Sequence, residues 1–322
     1  MRILLTGASG QLGGELITRL RSLGKVLATS RTAPSPNQAI HGPGAAFHAL
    51  DLSDPTAIEH LVKDFRPDVI VHAAAYTRVD DAEMETALAR RVNAEATATL
   101  ANVGAVCGSA IVYFSTDYVF DGSGERPWRE TDTPAPLNRY GVSKLAGEAA
   151  IRQATARHLI IRVSWLYGPR GRNFAKTVLQ RSLEGRTLRI VNDQIGAPTP
   201  AWFAAERSCR LLQRIHDLGW PTESSGTFHL SARGTASWYD FAKALLLGSA
   251  SLGNFCSISQ LVPISSAQFG APAQRPLNSR LDCSKLERLL DSCSPTWQSG
   301  LGITLPSILA AVLAESKLTN ST

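Results

Sequence analysis

Residues 1–16 of this 322-residue chain read MRILLTGASGQLGGEL, and this stretch decides the fold. Its apolar run over 2–6 has the composition of a buried β-strand, and the pattern over 11–23 predicts an amphipathic helix. A strand that leads directly into a helix through a glycine-rich turn is typical of the first unit of a parallel α/β sheet.

Three glycines form that turn at GxxGxxG spacing: Gly7, Gly10 and Gly13. Glycines there let the backbone come close to a pyrophosphate, while the helix N-terminus offers free N–H groups and a positive dipole end. The spacing by itself also fits a tight turn with close helix–strand packing and no ligand. Its place between a strand and a helix favours dinucleotide binding.

The first half of the chain continues this alternation of strands and helices. Further strands are predicted over 25–29, 68–73, 109–115 and 158–163, and further helices over 55–65, 83–106 and 140–156. Such alternation indicates an α/β fold with a Rossmann-type doubly wound parallel sheet.

After Ser164 the elements become shorter, and Pro and Gly interrupt them more often. Segments 226–230 and 237–247 have the pattern of a smaller α/β region. We therefore assign 1–164 to an NAD(P)-binding Rossmann domain. We assign 165–322 mainly to a smaller C-terminal α/β substrate-binding lobe, from which some segments return to the Rossmann sheet. Open α/β sheets bind ligands at their carboxyl edge, where such a lobe would pack.

Composition and charge exclude several classes of protein. With 44% hydrophobic residues, the chain is neither collagen-like, coiled-coil nor mucin-like. The net charge of +6 comes without a basic run, so no nucleic-acid partner is expected. The densest arginines lie over 170–189, and either a pocket for an anionic ligand or scattered solvated side chains would explain them.

The cysteines and the apolar stretches point to the cytoplasm. Five cysteines without CxxC spacing indicate neither a zinc site nor a disulfide framework. The apolar run at the start is too short for a secretory signal, and the stretch over 301–313 is short and contains Pro306, so no membrane span is expected.

Residues at the ends of the next strands predict how a dinucleotide would be held. The second strand ends in Thr29, Ser30 and Arg31, without the acid that binds the ribose hydroxyls of NAD. An arginine beside a small hydroxyl suits a 2′-phosphate, so NADPH is favoured over NADH, unless Arg31 points into solvent. Asp51 and Leu52 follow a third strand, at the adenine edge. The small residues over 73–75 would let a cofactor lie close, although core packing would also explain them.

A second motif carries acid–base chemistry. Tyr140 and Lys144 have YxxxK spacing at the start of a helix, so both side chains lie on one face. A nearby ammonium favours the phenolate and tunes the phenol as an acid–base group. Ser115, Thr116 and Asp117 end the preceding strand, where a hydroxyl could bind a substrate carbonyl or could merely cap the turn.

The chain resembles the extended short-chain dehydrogenases/reductases and, within them, the dTDP-4-dehydrorhamnose reductase family over almost its whole length. The strings that carry the resemblance are TGASGQLGGEL, HAAAYTRVDDAE, STDYVFDG, ETDTPAPLNRYGVSKLAGE, IIRVSWLYG, NFAKTVL, NDQIGAPT, SWYDFA and APAQRPLNSRLD. The order of STDYVFDG, RVSWLYG, NDQIGAPT and RPLNSRLD is the most specific part.

The resemblance implies roles for several of these residues. Tyr140 would be the proton donor, Lys144 would support it and bind the nicotinamide ribose, and Thr116 would be the third catalytic residue. The cofactor-binding set would be Gly7, Gly10, Gln11, Leu12, Gly13, Ser30, Arg31, Asp51, Leu52, Ala74, Ala75, Tyr76, Tyr140 and Lys144. The substrate-binding set would be Thr116, Asp117, Trp165 and Arg275, the last as a bidentate phosphate ligand. Trp165 could instead be core at the domain junction, and Arg275 could be a surface residue.

Two positions depart from the family pattern. Some members carry an acid where this chain has Ser30, which favours NADPH here. Some members hold Mg²⁺ between subunits with glutamates, one of them at the position of Glu15, but Thr187 stands where a second acid would be. A homodimer stays open, a metal-bridged one is doubtful, and Glu15 could be a solvated helix residue.

The resemblance implies NAD(P)H-dependent reduction of the 4-keto group of dTDP-4-dehydro-6-deoxy-L-mannose, which gives dTDP-L-rhamnose as the last step of its biosynthesis. One alternative is a non-catalytic NADP-binding subunit like the beta subunit of methionine adenosyltransferase, and intact Thr116, Tyr140 and Lys144 favour the enzyme over it. Another is a reductase or epimerase of a different nucleotide sugar, because fold alone does not fix function.

Overall fold

The computed structural model describes residues 1–32, 45–221, 225–253 and 261–319. The strands are β1 Arg2–Thr6, β2 Lys25–Ser30, β3 Ala45–Ala49, β4 Val69–His72, β5 Ala110–Thr116, β6 His158–Val163, β7 Leu166–Tyr167, β8 Leu188–Val191, β9 Ile195–Gly196, β10 Thr199–Pro200, β11 Gly226–Leu230, β12 Ala236–Ser237 and β13 Leu261–Ile264. The helices are α1 Gln11–Leu20, α2 Pro55–Phe65, α3 Asp81–Met84, α4 Thr86–Arg90, α5 Ala96–Val106, α6 Arg139–Ala154, α7 Phe174–Leu183, α8 Ala201–Asp217, α9 Trp238–Ser251, α10 Ser266–Phe269, α11 Ser284–Leu290 and α12 Trp297–Thr319. A π-helical turn, Arg91–Glu95, joins α4 to α5, and a 3₁₀ turn, Asp117–Val119, follows β5.

Seven of the strands form one parallel sheet in the order β11-β6-β5-β4-β1-β2-β3. The strand order reverses between β1 and β4, which is the crevice where open α/β sheets bind ligands. The predicted Rossmann-type doubly wound sheet is therefore confirmed.

Both faces of this sheet are covered, because its strands are apolar on both sides. Within β1, Ile3 and Leu5 point into a core formed with α1 and α8, whereas Leu4 points into a core formed with α2 and α5. All three side chains are fully buried. Such two-sided burial is typical of parallel strands and explains their nearly continuous apolar runs.

Most predicted elements of the first half agree with the structure, and 2–6, 55–65 and 158–163 agree to the residue. Local signals explain this accuracy. The Asp54 carboxylate caps α2 by accepting a hydrogen bond from the Ala57 N–H, Pro55 occupies the first turn, and Arg66 ends the helix in a left-handed conformation.

The single helix predicted over 83–106 is wrong. Glu85 leaves the helical region between α3 and α4, and the π-helical turn interrupts the rest. The buried Asn93 lies in this turn, and its side chain hydrogen-bonds both the N–H and the carbonyl of Tyr76. The π-helical turn thus places the Asn93 side chain against the loop that carries Tyr76. Helical periodicity does not reveal such a contact.

A second core lies beside the sheet. Helices α7, α9 and α12 enclose it, and its centre includes Phe241, Leu245, Trp297 and Leu305. Three short pairs of strands border it, β7 with β10, β9 with β12, and β8 with β13. The segment 237–247, which the sequence places in the smaller α/β region, lies here: Ser237 ends β12 and the rest belongs to α9.

Other segments of the second half pack with the large sheet. Strand β11, Gly226–Leu230, pairs with β6 over its whole length, so this segment returns to the Rossmann sheet and does not lie in the smaller α/β region to which its pattern pointed. Helices α8 and α11 contribute to the core on the α1 face. The pattern of 226–230 identified a strand but not the sheet that it joins.

Helix α12 is long and apolar enough to cross a membrane by length and composition, in its part Trp297–Ser316. The sequence predicted only a short apolar stretch around Pro306. The helix is longer than that stretch because it continues through the proline. Leu301, Leu305 and Ile308 are buried in the second core. A core helix of a globular protein passes the same test, so this is weak evidence for a membrane span.

Candidate active site

The glycine turn after β1 forms a closely packed cradle. Gly7 has a φ of +74°, and a Cβ there would lie 2.6 Å from the Ala74 backbone. A Cβ at Gly13 would lie 2.0 Å from the Gly7 carbonyl oxygen. No side chain caps α1 at Gly10, so the first N–H groups of the helix have no side-chain acceptor. These residues fit a pyrophosphate, as the sequence predicts.

The far end of the cradle carries the residues predicted to meet the adenosine. Arg31 is exposed, and the Ser30 hydroxyl donates to the Thr32 carbonyl at 2.7 Å. Asp51 accepts hydrogen bonds from the N–H and hydroxyl of Ser53, which lower its pKa, and the Arg31 charge lowers it further. Asp51 and Arg31 are thus near neighbours.

The loop after β4 passes beside the cradle. Ala74 lies against Gly7, and its N–H is 3.4 Å from the Thr6 hydroxyl. Tyr76 is buried, and its hydroxyl donates to the Glu85 carboxylate at 2.8 Å. Asn93, to which no role was assigned from the sequence, fixes the Tyr76 backbone and donates to the Ser143 hydroxyl at 2.9 Å. It therefore ties this loop to helix α6.

Helix α6 carries the YxxxK motif. Asn138 caps it by accepting a hydrogen bond from the Gly141 N–H at 2.8 Å, which starts the helix immediately before Tyr140. Lys144 is 1% exposed, and its Nζ lies 3.9 Å from the centre of the Tyr113 ring. Burial lowers the pKa of Lys144 to about 7, and the Glu148 carboxylate opposes this shift. The Glu148 carboxylate therefore helps to keep Lys144 in its charged form.

Tyr140 keeps partial solvent access beside these buried groups. Burial raises the pKa of its phenol well above the ordinary value, the Thr116 hydroxyl opposes the shift, and the Asp117 charge adds to it. The phenol is therefore protonated at neutral pH, as a proton donor must be. Tyr118 packs edge-on against it, with ring centres 6.0 Å apart.

Thr116 and Asp117 lie at the carboxyl end of β5. The Thr116 hydroxyl donates to Asp117 Oδ1 at 3.0 Å and accepts from the Tyr118 N–H at 3.2 Å. Asp117 is 3% exposed. Burial raises its pKa to about 6, although the hydroxyls of Ser279, Thr116 and Ser164 oppose this. The structure thus brings Thr116, Asp117 and Tyr140 together.

A buried ion pair lies one helical turn beyond Lys144. Arg162 of β6 donates to both oxygens of Glu148, at 2.9 and 2.7 Å, and Arg152 donates to the same carboxylate at 2.7 Å. Glu148 is fully buried and Arg162 is 2% exposed. Neither residue was predicted, although both lie within the strings that carry the family resemblance.

Trp165 lies at the junction of the sheet and the second core. Its φ of +47° is left-handed, which costs about 1–3 kcal/mol for a residue other than glycine. One face of its indole stacks on Trp238, with centres 3.6 Å apart and planes at 8°. A Cβ at Gly196 would lie 2.5, 2.8 and 2.9 Å from Cε2, Cζ2 and Nε1, distances that place it over the other face.

This geometry limits how Trp165 could contact a sugar. Stacking at 3.6 Å leaves no room for Gly196 on the Trp238 side, so the two neighbours cover opposite faces of the ring. The indole is 8% exposed. Face-to-face packing on a sugar is therefore blocked, and only the ring edge is available.

Arg275 is neither free nor on the surface. Its guanidinium binds both oxygens of Asp80, at 2.9 and 2.7 Å, and its side chain is 18% exposed. The Arg275 bonds hold the pKa of Asp80 below its usual value. Tyr118 lies beside the same guanidinium. Arg275 thus approaches the Tyr140 side of the site, with Asp80 as its partner.

Two further contacts involve helix α1. The Gln11 side chain accepts a hydrogen bond from Asn173 Nδ2 at 2.7 Å, although the two residues are 162 positions apart. Asn173 also caps α7, so it joins the cradle to the second core. Glu15 pairs with Arg19 at 3.0 Å. Within the described residues, no group of three or more His, Cys, Asp or Glu could hold a metal ion.

Several of the residues without a predicted role occur in motifs that the sequence analysis quotes: Asn173 in NFAKTVL, Gly196 in NDQIGAPT, Trp238 in SWYDFA and Ser279 in RPLNSRLD. Their contacts join segments far apart in the chain. The order of the motifs along the chain was the only sequence signal that could have identified these residues. Residue spacing does not predict a contact between segments so far apart.

The chain matches known proteins over nearly its whole length. A family model described as the RmlD substrate binding domain matches residues 1–309. The dTDP-4-dehydrorhamnose reductase of Salmonella typhimurium is 39% identical over 94% of this chain and 96% of that protein. The one of Burkholderia thailandensis is 36% identical over 96% and 100%. A crystal structure of a dTDP-4-dehydrorhamnose reductase from Bacillus anthracis in complex with NADP aligns with a TM-score of 0.76 at 32% identity, over 94% and 98%.

Proposed function

The chain belongs to the dTDP-4-dehydrorhamnose reductase family, and from this premise we propose that it reduces the 4-keto group of dTDP-4-dehydro-6-deoxy-L-mannose with a nicotinamide cofactor. The product is dTDP-L-rhamnose, and the step is the last of its biosynthesis. The protein is thus an NAD(P)H-dependent oxidoreductase.

The residues at the cradle would hold the cofactor. The N–H groups of Gln11 and Leu12 would bind the pyrophosphate, while Gly7 and Gly13 allow the close approach. Ala74, Ala75 and Tyr76 would line its course towards Lys144. When bound, a reduced nicotinamide supplies the hydride that goes to the substrate carbonyl carbon.

Tyr140 would supply the proton. Its phenol is protonated at neutral pH and would donate to the carbonyl oxygen as that oxygen gains negative charge. The Thr116 hydroxyl would hold the same oxygen and stabilise its developing charge. The Lys144 ammonium would favour the phenolate that remains, because an opposite charge stabilises the ionised form.

The sugar nucleotide would lie on the side of Asp117 and Trp165. Asp117 would accept hydrogen bonds from sugar hydroxyls, and Trp165 would contact the sugar with its ring edge. Arg275 is a candidate ligand for the diphosphate, since a guanidinium binds phosphate oxygens bidentately. Binding there requires exchange of its present partner, Asp80.

We further propose that NADPH is preferred over NADH. Arg31 is exposed beside Ser30, and β2 does not end in the acid that would bind the ribose hydroxyls of NAD. The neighbouring Asp51 weakens this preference through its own charge. The residues between 32 and 45, next to Arg31, lie outside the described ranges.

The remaining expectations are also proposals. The cytoplasm is the expected compartment, and the four described cysteines are free. Mg²⁺ is not included in the proposed mechanism, because the Glu15 carboxylate is paired with Arg19 and Thr187 replaces a second acid.

The observation that carries the reductase proposal is the Tyr140 phenol beside Thr116, with buried Lys144 one turn along the same helix. A binding subunit would not need this arrangement to be intact. The test is oxidation of NADPH and NADH, followed by the absorbance of the reduced nicotinamide, with the keto sugar generated in situ by the upstream dehydratase and epimerase.

The matched variant is Tyr140→Phe, which removes only the hydroxyl. We expect turnover to fall by about 10²- to 10⁴-fold while NADPH affinity is retained. A variant as active as the wild type would refute the assignment of the acid. If the wild-type protein binds NADPH tightly but does not turn over the keto sugar, a binding subunit or a reductase of another nucleotide sugar is favoured.

A further inference from the structure

The indole of Trp165 is held between two segments of the second core. Trp238 begins α9 and covers one face, and Gly196 of β9 covers the other. The two segments are themselves joined, because Gly196 pairs with Ala236 in the β9–β12 ladder, two residues before Trp238. Together they form a slot of fixed width for a single ring.

The slot is rigidly supported. Ser237 starts α9 with a capping box, in which its hydroxyl and the Asp240 carboxylate each bond the backbone of the other residue. Phe174 packs against Trp238, with centres 4.5 Å apart. Trp165 is therefore held in its left-handed conformation by neighbours that are themselves fixed.

The backbone on either side of Trp165 links this slot to the substrate site. The Ser164 hydroxyl lies 3.4 Å from both Asp117 Oδ2 and the Ser279 carbonyl. After the left-handed turn, the Trp165 carbonyl accepts a hydrogen bond from the Thr199 N–H at 3.1 Å. A shift of the ring would thus move the chain that contacts Asp117.

We propose that Trp238 and Gly196 are positioning residues of the substrate site. They hold Trp165 with its edge available, and through Ser164 they fix Asp117 beside Thr116. This inference rests on the proposed reductase function and deepens it: the slot sets the geometry on the sugar side, whereas the link from the second core to the cradle runs through Asn173 and Gln11.

The first test detects the slot without substrate. Two indoles stacked this closely couple excitonically. The coupling gives a couplet in the far-ultraviolet circular dichroism spectrum when the long axes of the two rings are rotated relative to each other within the stacked planes. Gly196→Ala retains both tryptophans but adds a methyl group where the indole lies. We expect the couplet to disappear in Gly196→Ala and in Trp238→Phe, and to persist in Trp297→Phe. Trp297 is buried in the same core and packs against Phe241.

The second test separates the two sides of the site. In Gly196→Ala we expect kcat/KM for the keto sugar to fall by about 10-fold to 100-fold, with NADPH affinity unchanged. Trp238→Phe retains an aromatic ring against Trp165, so its kcat/KM should fall less than that of Gly196→Ala. Trp297→Phe should have the kcat/KM of the wild type. If Gly196→Ala does not fold, the kcat/KM of Trp238→Phe is compared with that of Trp238→Ala, and the loss should be larger in Trp238→Ala.

A couplet that persists in both slot variants would overturn the proposal, as would an unchanged kcat/KM for the sugar or an equal loss of NADPH affinity. Failure of the reductase proposal is distinguishable from this. A wild-type protein that shows the couplet but no turnover would contradict the reaction and not the slot.

Discussion

The proposed cofactor side and the proposed sugar side of the site are built in different ways. On the cofactor side, the glycine cradle spans seven consecutive residues, and Tyr140 and Lys144 share one helical turn. On the sugar side, Arg275 pairs with Asp80 at a separation of 195 residues, and Trp165 lies between Gly196 and Trp238. Local spacing defines the first set, and the packing of two cores defines the second.

This difference predicts where substitutions act. The cofactor side and the catalytic helix rest on backbone shape and deeply buried charges, so their variants should lose stability or turnover. The sugar side rests on contacts between separate segments. Variants at its inter-segment contacts should leave the fold intact and change binding, because each contact adds only a modest net free energy. The buried Asp117 carboxyl on the same side is the exception, because its burial also affects stability.

The largest effect is expected for Glu148→Gln. The variant removes the charge that both Arg162 and Arg152 bind, and it leaves the buried Arg162 guanidinium uncompensated. Breaking such a buried pair should lower the free energy of unfolding by about 3 kcal/mol, measured by urea denaturation. Because Glu148 raises the pKa of Lys144, the alkaline limit of turnover should also move to lower pH.

Glu184→Gln is the control for that prediction. Its pair with Arg186 is about as short, at 2.7 Å, but both side chains are more than half exposed. A change of no more than about 0.5 kcal/mol is expected there. Equal losses in the two variants would show that burial does not set the contribution of the ion pair, and the contrast between buried and exposed contacts would fail.

A smaller effect is expected for Asp117→Asn, and it appears in the pH dependence of the free energy of unfolding. Burial raises the folded pKa of Asp117 from 3.8 to about 6, so folding favours its protonated form. Its contribution to stability is therefore complete below pH 3.8 and is lost as pH rises towards 6 and above. At 1.36 kcal/mol per pKa unit, the loss is about 2–3 kcal/mol.

The measurement is the free energy of unfolding of wild type and variant between pH 3.5 and 7. Relative to Asp117→Asn, the wild type should lose stability as pH rises through this window. Asp121→Asn is the control, because the Ser123 N–H lowers the Asp121 pKa and the sign reverses. Parallel curves for wild type and Asp117→Asn would show that Asp117 is not held in a desolvating site.

The smallest effect is expected for Asn173→Asp, which tests the contact between the two sides. An aspartate can still cap α7 but cannot donate to the Gln11 side chain. The variant also loses the Asn173 Nδ2 bond to the Gly168 carbonyl, which is 2.8 Å long and affects stability rather than the cradle. Loss of the Gln11 bond, worth about 1 kcal/mol, should raise the NADPH Kd by about fivefold, measured by fluorescence titration.

A double-mutant cycle sharpens this last prediction. Gln11→Leu removes the acceptor of the same bond, so adding it to Asn173→Asp should cost little further affinity. Fully additive losses would mean that the two side chains act independently, and that the second core does not contribute to cofactor binding through this pair.

The sequence predicted those parts of the site that short spacing specifies. The strands at 2–6 and 158–163 and the helix at 55–65 follow from periodicity and capping, and the YxxxK spacing of Tyr140 and Lys144 lies within one helix. It failed where a side chain bonds a distant backbone. Asn93 interrupts the predicted helix over 83–106 to reach Tyr76, and Gly226–Leu230 pairs with β6 in the large sheet.

By itself, the sequence determined the fold class, the cradle and the residues that would transfer the proton, because each depends on backbone geometry within one turn or one strand. Only the tertiary structure decided that Arg275 is bound to Asp80, that both faces of Trp165 are covered, and that Gln11 is joined to Asn173. Such contacts depend on how two cores pack, and a side chain's neighbours across that junction are not encoded in local spacing.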